Sequence, residues 1–291
     1  MLSNSLMRDL QACFEPATIT AVAPIPSTVS LPDSTTNYAI RTTGDEFILR
    51  VSSEVSPLLV KRAADRQREA RAQLRGLAAE PIELPVYEGF ADEKSYAVWP
   101  KRQPLSSNRI RSVIEKAQLT PRVFRWLRDV ASQTAKSADL SKLLANLQRL
   151  QEIPAAPTFI KLSAEKAWKA LSSGDVRPIQ VVHHGDLWTG NVLKTSSKTG
   201  FVVIDWAGAR VDGAPFFDLV KFALSVGSSK STLSHEISAH SRLIGCNPRD
   251  ASAYVLSGLG ALHSELEYFP ERDFLHMCED KLRALQTLTP A

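Results

Sequence analysis

The sequence predicts an α+β chain folded as two lobes, a small strand-rich N-terminal lobe and a larger helical C-terminal lobe. Three observations carry this expectation. Residues 38–51 and 82–99 read as strands joined by turns. The stretch 100–107, rich in Pro, Lys and Ser, breaks regular structure. Beyond residue 108 the chain turns helical in pattern. These set the expected organisation: residues 1–99 as the first lobe, 100–107 as the linker and 108–291 as the second lobe.

Each element has its own signal. Leu2, Leu6, Leu10 and Phe14 fall at helical spacing, and no basic segment leads into an apolar core, so the start reads as a packing helix and not a secretory signal. Tyr38–Thr42 and Phe47–Val51 flank a Gly-Asp turn and predict a hairpin. Residues 57–79 are rich in Ala, Arg, Gln and Leu and predict a helix. Further strands are expected over 82–90 and 95–99, with the turn at 91–94. Helices are expected over 108–117, 121–136, 139–152 and 160–173. A compact strand-like block follows from Ile179 to Asp205, and the remainder is helical. There Asn247, Pro248 and Asp250 mark a helix start: a cap, a proline in the first turn and an acid at the positive end of the dipole.

The bulk numbers narrow the function classes. The chain has 291 residues, 44% hydrophobic and 23% charged, which is ordinary for a globular protein. A net charge of +4 suits an anionic partner such as a nucleotide and gives no ground for nucleic-acid binding. Cys13, Cys246 and Cys278 are too few and too far apart for a disulfide framework or a zinc site. No apolar run approaches the ~20 residues that a membrane span needs. A cytoplasmic protein with reduced cysteines, no membrane partner and no nucleic-acid partner is expected.

The polar chemistry is concentrated in residues 181–219. Two apolar runs, Val181-Val182 and Phe201–Ile204, each lead into an acid, with Gly185, Gly190 and Asn191 between them. This order predicts that Asp186, Asn191 and Asp205 converge at the ends of adjacent short strands. Phosphoryl transfer needs a group to orient the attacking hydroxyl and accept its proton, and hard oxygen ligands for magnesium. Asp186 suits the first role, and Asn191 and Asp205 suit the second.

His184-Gly185-Asp186-Leu187 with Asn191, followed by Ile204-Asp205-Trp206, resembles the aminoglycoside phosphotransferase and choline kinase-like family. The resemblance implies the two-lobed protein kinase-like fold, ATP and Mg2+ as cofactors, and transfer of the γ-phosphate to a small-molecule hydroxyl acceptor. It implies Asp186 as catalytic base, Asn191 and Asp205 as metal ligands, and Asp218 as an anchor beneath the catalytic loop. In the first lobe it implies a nucleotide-covering hairpin, here Ser34, Thr35, Thr36, Asn37 and Tyr38, without glycine. Arg50 stands where the family often has lysine, and its guanidinium can grip phosphate. Glu69 matches the family's helix acid and is the expected partner of Arg50, with a plain surface acid as the alternative. Val98 and Trp99 are expected at the adenine edge.

Some readings remain open or are set aside. The glycine-free hairpin and Arg50 leave a nucleotide-binding regulator with little turnover as the alternative to an active enzyme. A protein kinase is disfavoured by the missing catalytic-loop arginine and Ala-Pro-Glu signature. Residues 220–291 hold eight acids and seven bases, which gives no support to a polycationic acceptor. Glu265 and Glu267 are the local candidates for an amine, with a solvated helix end as the alternative. Gly258 and Gly260 read as a close-packing site, because the third glycine and the preceding strand of a dinucleotide fingerprint are absent.

Overall fold

The computed structural model describes residues 2–26 and 31–286. A five-stranded antiparallel sheet forms the first lobe in the order β1-β2-β3-β5-β4. Its strands are β1 (Ile19–Ile25), β2 (Thr36–Thr42), β3 (Glu46–Val51), β4 (Tyr87–Ala91) and β5 (Lys94–Pro100). Helix α1 (Asn4–Phe14) lies against it, and Leu6, Leu10 and Phe14 share one apolar cluster with Ile40, Leu49, Tyr96 and Val98. Ser3 caps α1, its Oγ accepting from the Leu6 N–H at 3.1 Å.

The expected hairpin forms, with Thr42 to Asp45 closing the turn. It begins earlier than expected, at Thr36, and its outer edge pairs with β1, which the sequence reading did not mark. Strand β1 is mostly exposed and contains Pro24, so it lacks the buried alternation that signals a strand. Helix α2 (Leu59–Ala72) connects β3 to β4 and buries Val60, Ala63, Ala64, Gln67 and Ala70. It stops short of residue 79; Gly76 takes φ 57° and opens a separate 3-10 turn. The strand expected from Ile82 starts only at Tyr87, after Pro81 and Pro85. Asp92 and Glu93 both hold positive φ in the two-residue turn to β5, at 48° and 61°.

The second lobe opens with α3 (Arg109–Thr134), one 26-residue helix where two were expected. Pro121 gives up one backbone donor inside it. The helix continues because Leu119, Val123, Phe124, Trp126, Leu127 and Val130 bury on one side of it. After β6 (Lys136–Ser137) come α4 (Leu140–Glu152) and α5 (Thr158–Ser172), close to expectation. The strand-like block resolves into β7 (Ile179–His183), β8 (Val192–Lys194), β9 (Phe201–Val203) and β10 (Arg210–Gly213). Helices α6 (Phe217–Ser225), α7 (Lys230–Ile244), α8 (Ala251–His263) and α9 (Glu271–Gln286) complete the described chain.

The helix start at Asn247 is a full capping box with Asp250. Gly260 packs α8 onto α4 so closely that a Cβ would fall on the Asn146 carbonyl oxygen. The close-packing reading of this glycine therefore holds. Among the described residues no helix is long and apolar enough to cross a membrane. The three cysteines are unpaired.

Candidate active site

Two small sheets position the polar residues. Strand β7 sits between β10 and β6, whereas β8 and β9 form a separate hairpin. The two acid-bearing runs are therefore not adjacent strands, as the sequence suggested. Asp186 follows β7 and Asp205 follows β9, and His184 ties the two ends together. Its Nε2 lies 2.8 Å from the Ile204 carbonyl, and its Nδ1 accepts from the Asp186 N–H at 3.2 Å. An acceptor at Nδ1 requires the proton on Nε2, which then donates to Ile204. His184 thus shapes the loop.

Asn191 is held by the β8–β9 register. Val192 faces Val203, and the Ile204 N–H donates to the Asn191 carbonyl at 3.0 Å, so Asn191 lies beside Asp205. The Asn191 Nδ2 donates to the Asp186 carbonyl at 2.8 Å and to Asp186 Oδ2 at 3.1 Å. Its Oδ1 receives no hydrogen bond among the described residues. An amide oxygen and a carboxylate side by side fit magnesium, which takes few protein ligands and keeps water and phosphate oxygens.

Asp218 anchors the loop. It is buried, with Oδ2 accepting from the His184 N–H at 2.5 Å and Oδ1 from the Gly185 N–H at 3.0 Å. Gly185 holds φ 81° and leaves no room for a Cβ against Gly208, so both turn and packing require glycine there.

Asp205 adopts the left-handed region, φ 66° and ψ 62°. Burial pushes its carboxyl up. The charge and hydrogen bond of Arg50, with a contribution from His184, outweigh this and hold it below the usual carboxylate range. Arg50 Nη1 donates to Asp205 Oδ1 at 2.7 Å, and its Nε to Asn37 Oδ1 at 3.2 Å. The expected Arg50–Glu69 pair is absent: Glu69 is exposed, and Arg50 binds across the cleft instead. The helix residue that does reach the site is Arg66, whose Nη1 donates to the Ala207 carbonyl. Arg66 also pairs with Glu265 at 3.2 Å, and Glu265 pairs with Arg210 at 3.1 Å.

The segment expected as a loop is strand from Thr36 onward, so Thr36 and Asn37 belong to the descending arm of the β1–β2 hairpin, with Thr35 just before it. Val98 and Trp99 lie inside β5, which is hydrogen-bonded on both sides. The Val98 carbonyl accepts from the Val86 N–H at 2.8 Å. The chain leaves the sheet only after Pro100.

Two lysines were missed. Lys221 on α6 pairs with Asp186 Oδ1. Its signal was available, since it lies one helical turn beyond Asp218. Lys281 on α9 is 3% exposed and lies over the Phe217 ring, 5.7 Å from its centroid. Its signal was a lysine in line with Phe274, Cys278 and Leu285 on an apolar helix face. A cavity of about 940 Å³ between α5, α7, α8 and α9 includes none of these site residues.

Comparison with known proteins agrees with the fold. The model of the phosphotransferase enzyme family APH matches residues 29–239. A mutant of aminoglycoside phosphotransferase APH(4)-Ia, solved with ADP and hygromycin B, superposes with a TM-score of 0.61 at 15% identity, covering 99% of this chain and 100% of that one. Choline kinase LicA from Streptococcus pneumoniae superposes with a TM-score of 0.55 at 15% identity, covering 97% and 98%. LicA in complex with AMP gives 0.57 at 13% identity, covering 98% of each chain. Among curated protein sequences none matches. The family model spans well over half of the chain, and the fold is the two-lobed kinase-like one: the chain belongs to the APH phosphotransferase enzyme family.

Proposed function

We propose that this protein is an ATP-dependent kinase that moves the γ-phosphate onto a hydroxyl of a small molecule, with Asp186 as base. The observation that carries the reading is the setting of Asp186. It stands on a loop pinned by Asp218, is oriented by Asn191 on one oxygen, and adjoins Asp205 and Arg50 through His184 and Asn191. Asp186 is half exposed, so an acceptor hydroxyl can reach it. The carboxylate orients that hydroxyl and takes its proton as the oxygen attacks phosphorus.

Asn191 Oδ1 and the Asp205 carboxylate would hold Mg2+, which when bound neutralises charge on the ATP phosphates. Arg50 pairs with Asp205 and would supply a guanidinium for the same phosphates. Thr35 and Thr36 lie on the hairpin that would cover the nucleotide, and Asn37 fixes Arg50 from that hairpin. Solved relatives bound to ADP and AMP support the nucleotide part of the reading.

A screen of hydroxyl metabolites for ADP release, with Asp186→Asn as the blank, tests the proposal. The expected result is acceptor-dependent ADP release in the wild type alone, abolished by chelating magnesium. Binding of ATP without release above the blank for any acceptor points instead to a nucleotide-binding regulator.

A further inference from the structure

The two oxygens of Asp186 face different partners. Oδ2 receives Asn191, on the side of the proposed metal ligands, while Oδ1 receives the Lys221 ammonium. Lys221 is largely buried, at 18% of its side-chain surface. One turn before it on α6 stands Phe217, and the Lys281 ammonium lies over that ring. Lys281 comes from α9, so two helices deliver cations to the same flank of the base.

Lys281 has no hydrogen-bond or ion-pair partner among the described residues. Its Nζ is nevertheless not among the fully occluded unpaired side-chain atoms, so the ammonium keeps contact with solvent. A buried lysine without an ion-pair partner is unfavourable, and proteins rarely retain one without a use. Burial, and then the neighbouring charge of Lys221, pull Lys281 down to about 8. Of the acids nearby, Asp186 is paired with Lys221 and the others are engaged elsewhere. Asp218 accepts from two backbone amides, and Glu265 is shared by Arg66 and Arg210. Glu267 is exposed.

From this arrangement we infer that Lys221 and Lys281 form an oxyanion cradle beside Asp186, and that the phosphate acceptor is a small hydroxyl compound carrying a carboxylate or phosphate group. The inference rests on Asp186 being the base and deepens that reading to a substrate class. In the step, the acceptor O–H gives its proton to the Asp186 carboxylate and a bond forms from that oxygen to the γ-phosphorus. The bond from γ-phosphorus to the bridging oxygen breaks, and its electron pair leaves on ADP. The acceptor's anionic group, held by the two ammonium groups, fixes the hydroxyl at Asp186. A polycation would meet repulsion at the same place.

The test is calorimetric binding to the protein saturated with Mg2+ and ADP, so that anions do not enter the nucleotide site. The probes are glycerate for a carboxylate and glycerol 3-phosphate for a phosphate ester, with glycerol and ethanolamine as neutral and cationic controls. The account expects at least one anionic probe to bind measurably and both controls to bind more weakly, and the tighter anion names the source of the charge. Lys281→Met should weaken the anion about tenfold or more, the range for a charge-assisted contact, and Lys281→Arg should restore part of it. Asp186→Asn should bind the anion more tightly, because it removes a like charge and frees Lys221. That last arm does not depend on whether the Lys281 variants fold. No anion binding, or equal binding of anions and controls, overturns the inference, as does unchanged affinity in a folded Lys281→Met. Failure of the base assignment is read separately, as retained turnover in Asp186→Asn.

Discussion

Asp205 and Lys281 show how single residues carry strain toward a purpose. Asp205 holds a left-handed backbone that few non-glycine residues adopt, and aspartate tolerates it better than most. Lys281 holds its charge in a buried position, with its pKa lowered from 10.5 to about 8. The sign of the consequence follows from linkage. Between these values the unfolded chain keeps the proton and the folded chain loses it, so stability rises with pH across that window. Below about pH 8 the cost of burying the ammonium is fully present. Lys281→Met is therefore expected to raise the Tm at pH 7, and its advantage over the wild type should shrink toward pH 10. Thermal denaturation at the two pH values checks this; an equal or growing advantage at high pH contradicts it.

The loop that carries Asp186 and its supports were legible because they are local. His184, Asp186, Asn191, Asp205 and Asp218 fall within one short stretch, where spacing alone fixes their order. What spacing could not fix was pairing between distant elements. Glu69 was assigned to Arg50 by position along α2, yet the helix turns it outward and sends Arg66 to the Ala207 carbonyl instead. Likewise β1 escaped notice because an exposed edge strand has no buried face to impose alternation. The element-level account makes two predictions. Asp218→Asn should lower stability by about 1.5–3 kcal/mol, the range for hydrogen bonds to a charged group, and should reduce turnover through a loosened loop. Denaturant melts and steady-state rates read both. Gly260→Ala should cost about 1–3 kcal/mol or more, since the added Cβ forces α8 off α4. A Tm within a degree of wild type would remove the close-packing role.

At the scale of the molecule, the two lobes meet through an apolar seam, where Ala70, Leu74, Ala78 and Ile82 join the core of the second lobe, and through charges at the cleft. Arg50 reaches Asp205 from β3, and Arg66 reaches Ala207 and Glu265 from α2. The Arg66–Glu265 pair is about one-third exposed at each end, so its contribution to stability is small. Glu265→Gln should shift stability by less than about 1 kcal/mol. The two-lobed division was visible in the sequence because strand and helix patterns separate at the proline-rich stretch. The approach of Lys281 to Lys221 was not, because Lys281 lies 60 residues beyond Lys221 on another helix and only the packing of α9 on α6 brings them together.

The central claim is that Asp186 is the base of a phosphoryl transfer. Its most direct measurement is turnover of Mg2+-ATP with an identified acceptor by wild type and Asp186→Asn, alongside nucleotide affinity in both. The account predicts unchanged nucleotide affinity with turnover reduced about 10²- to 10⁴-fold, the range for removing a general base. Turnover within a few-fold of wild type at equal affinity would contradict it.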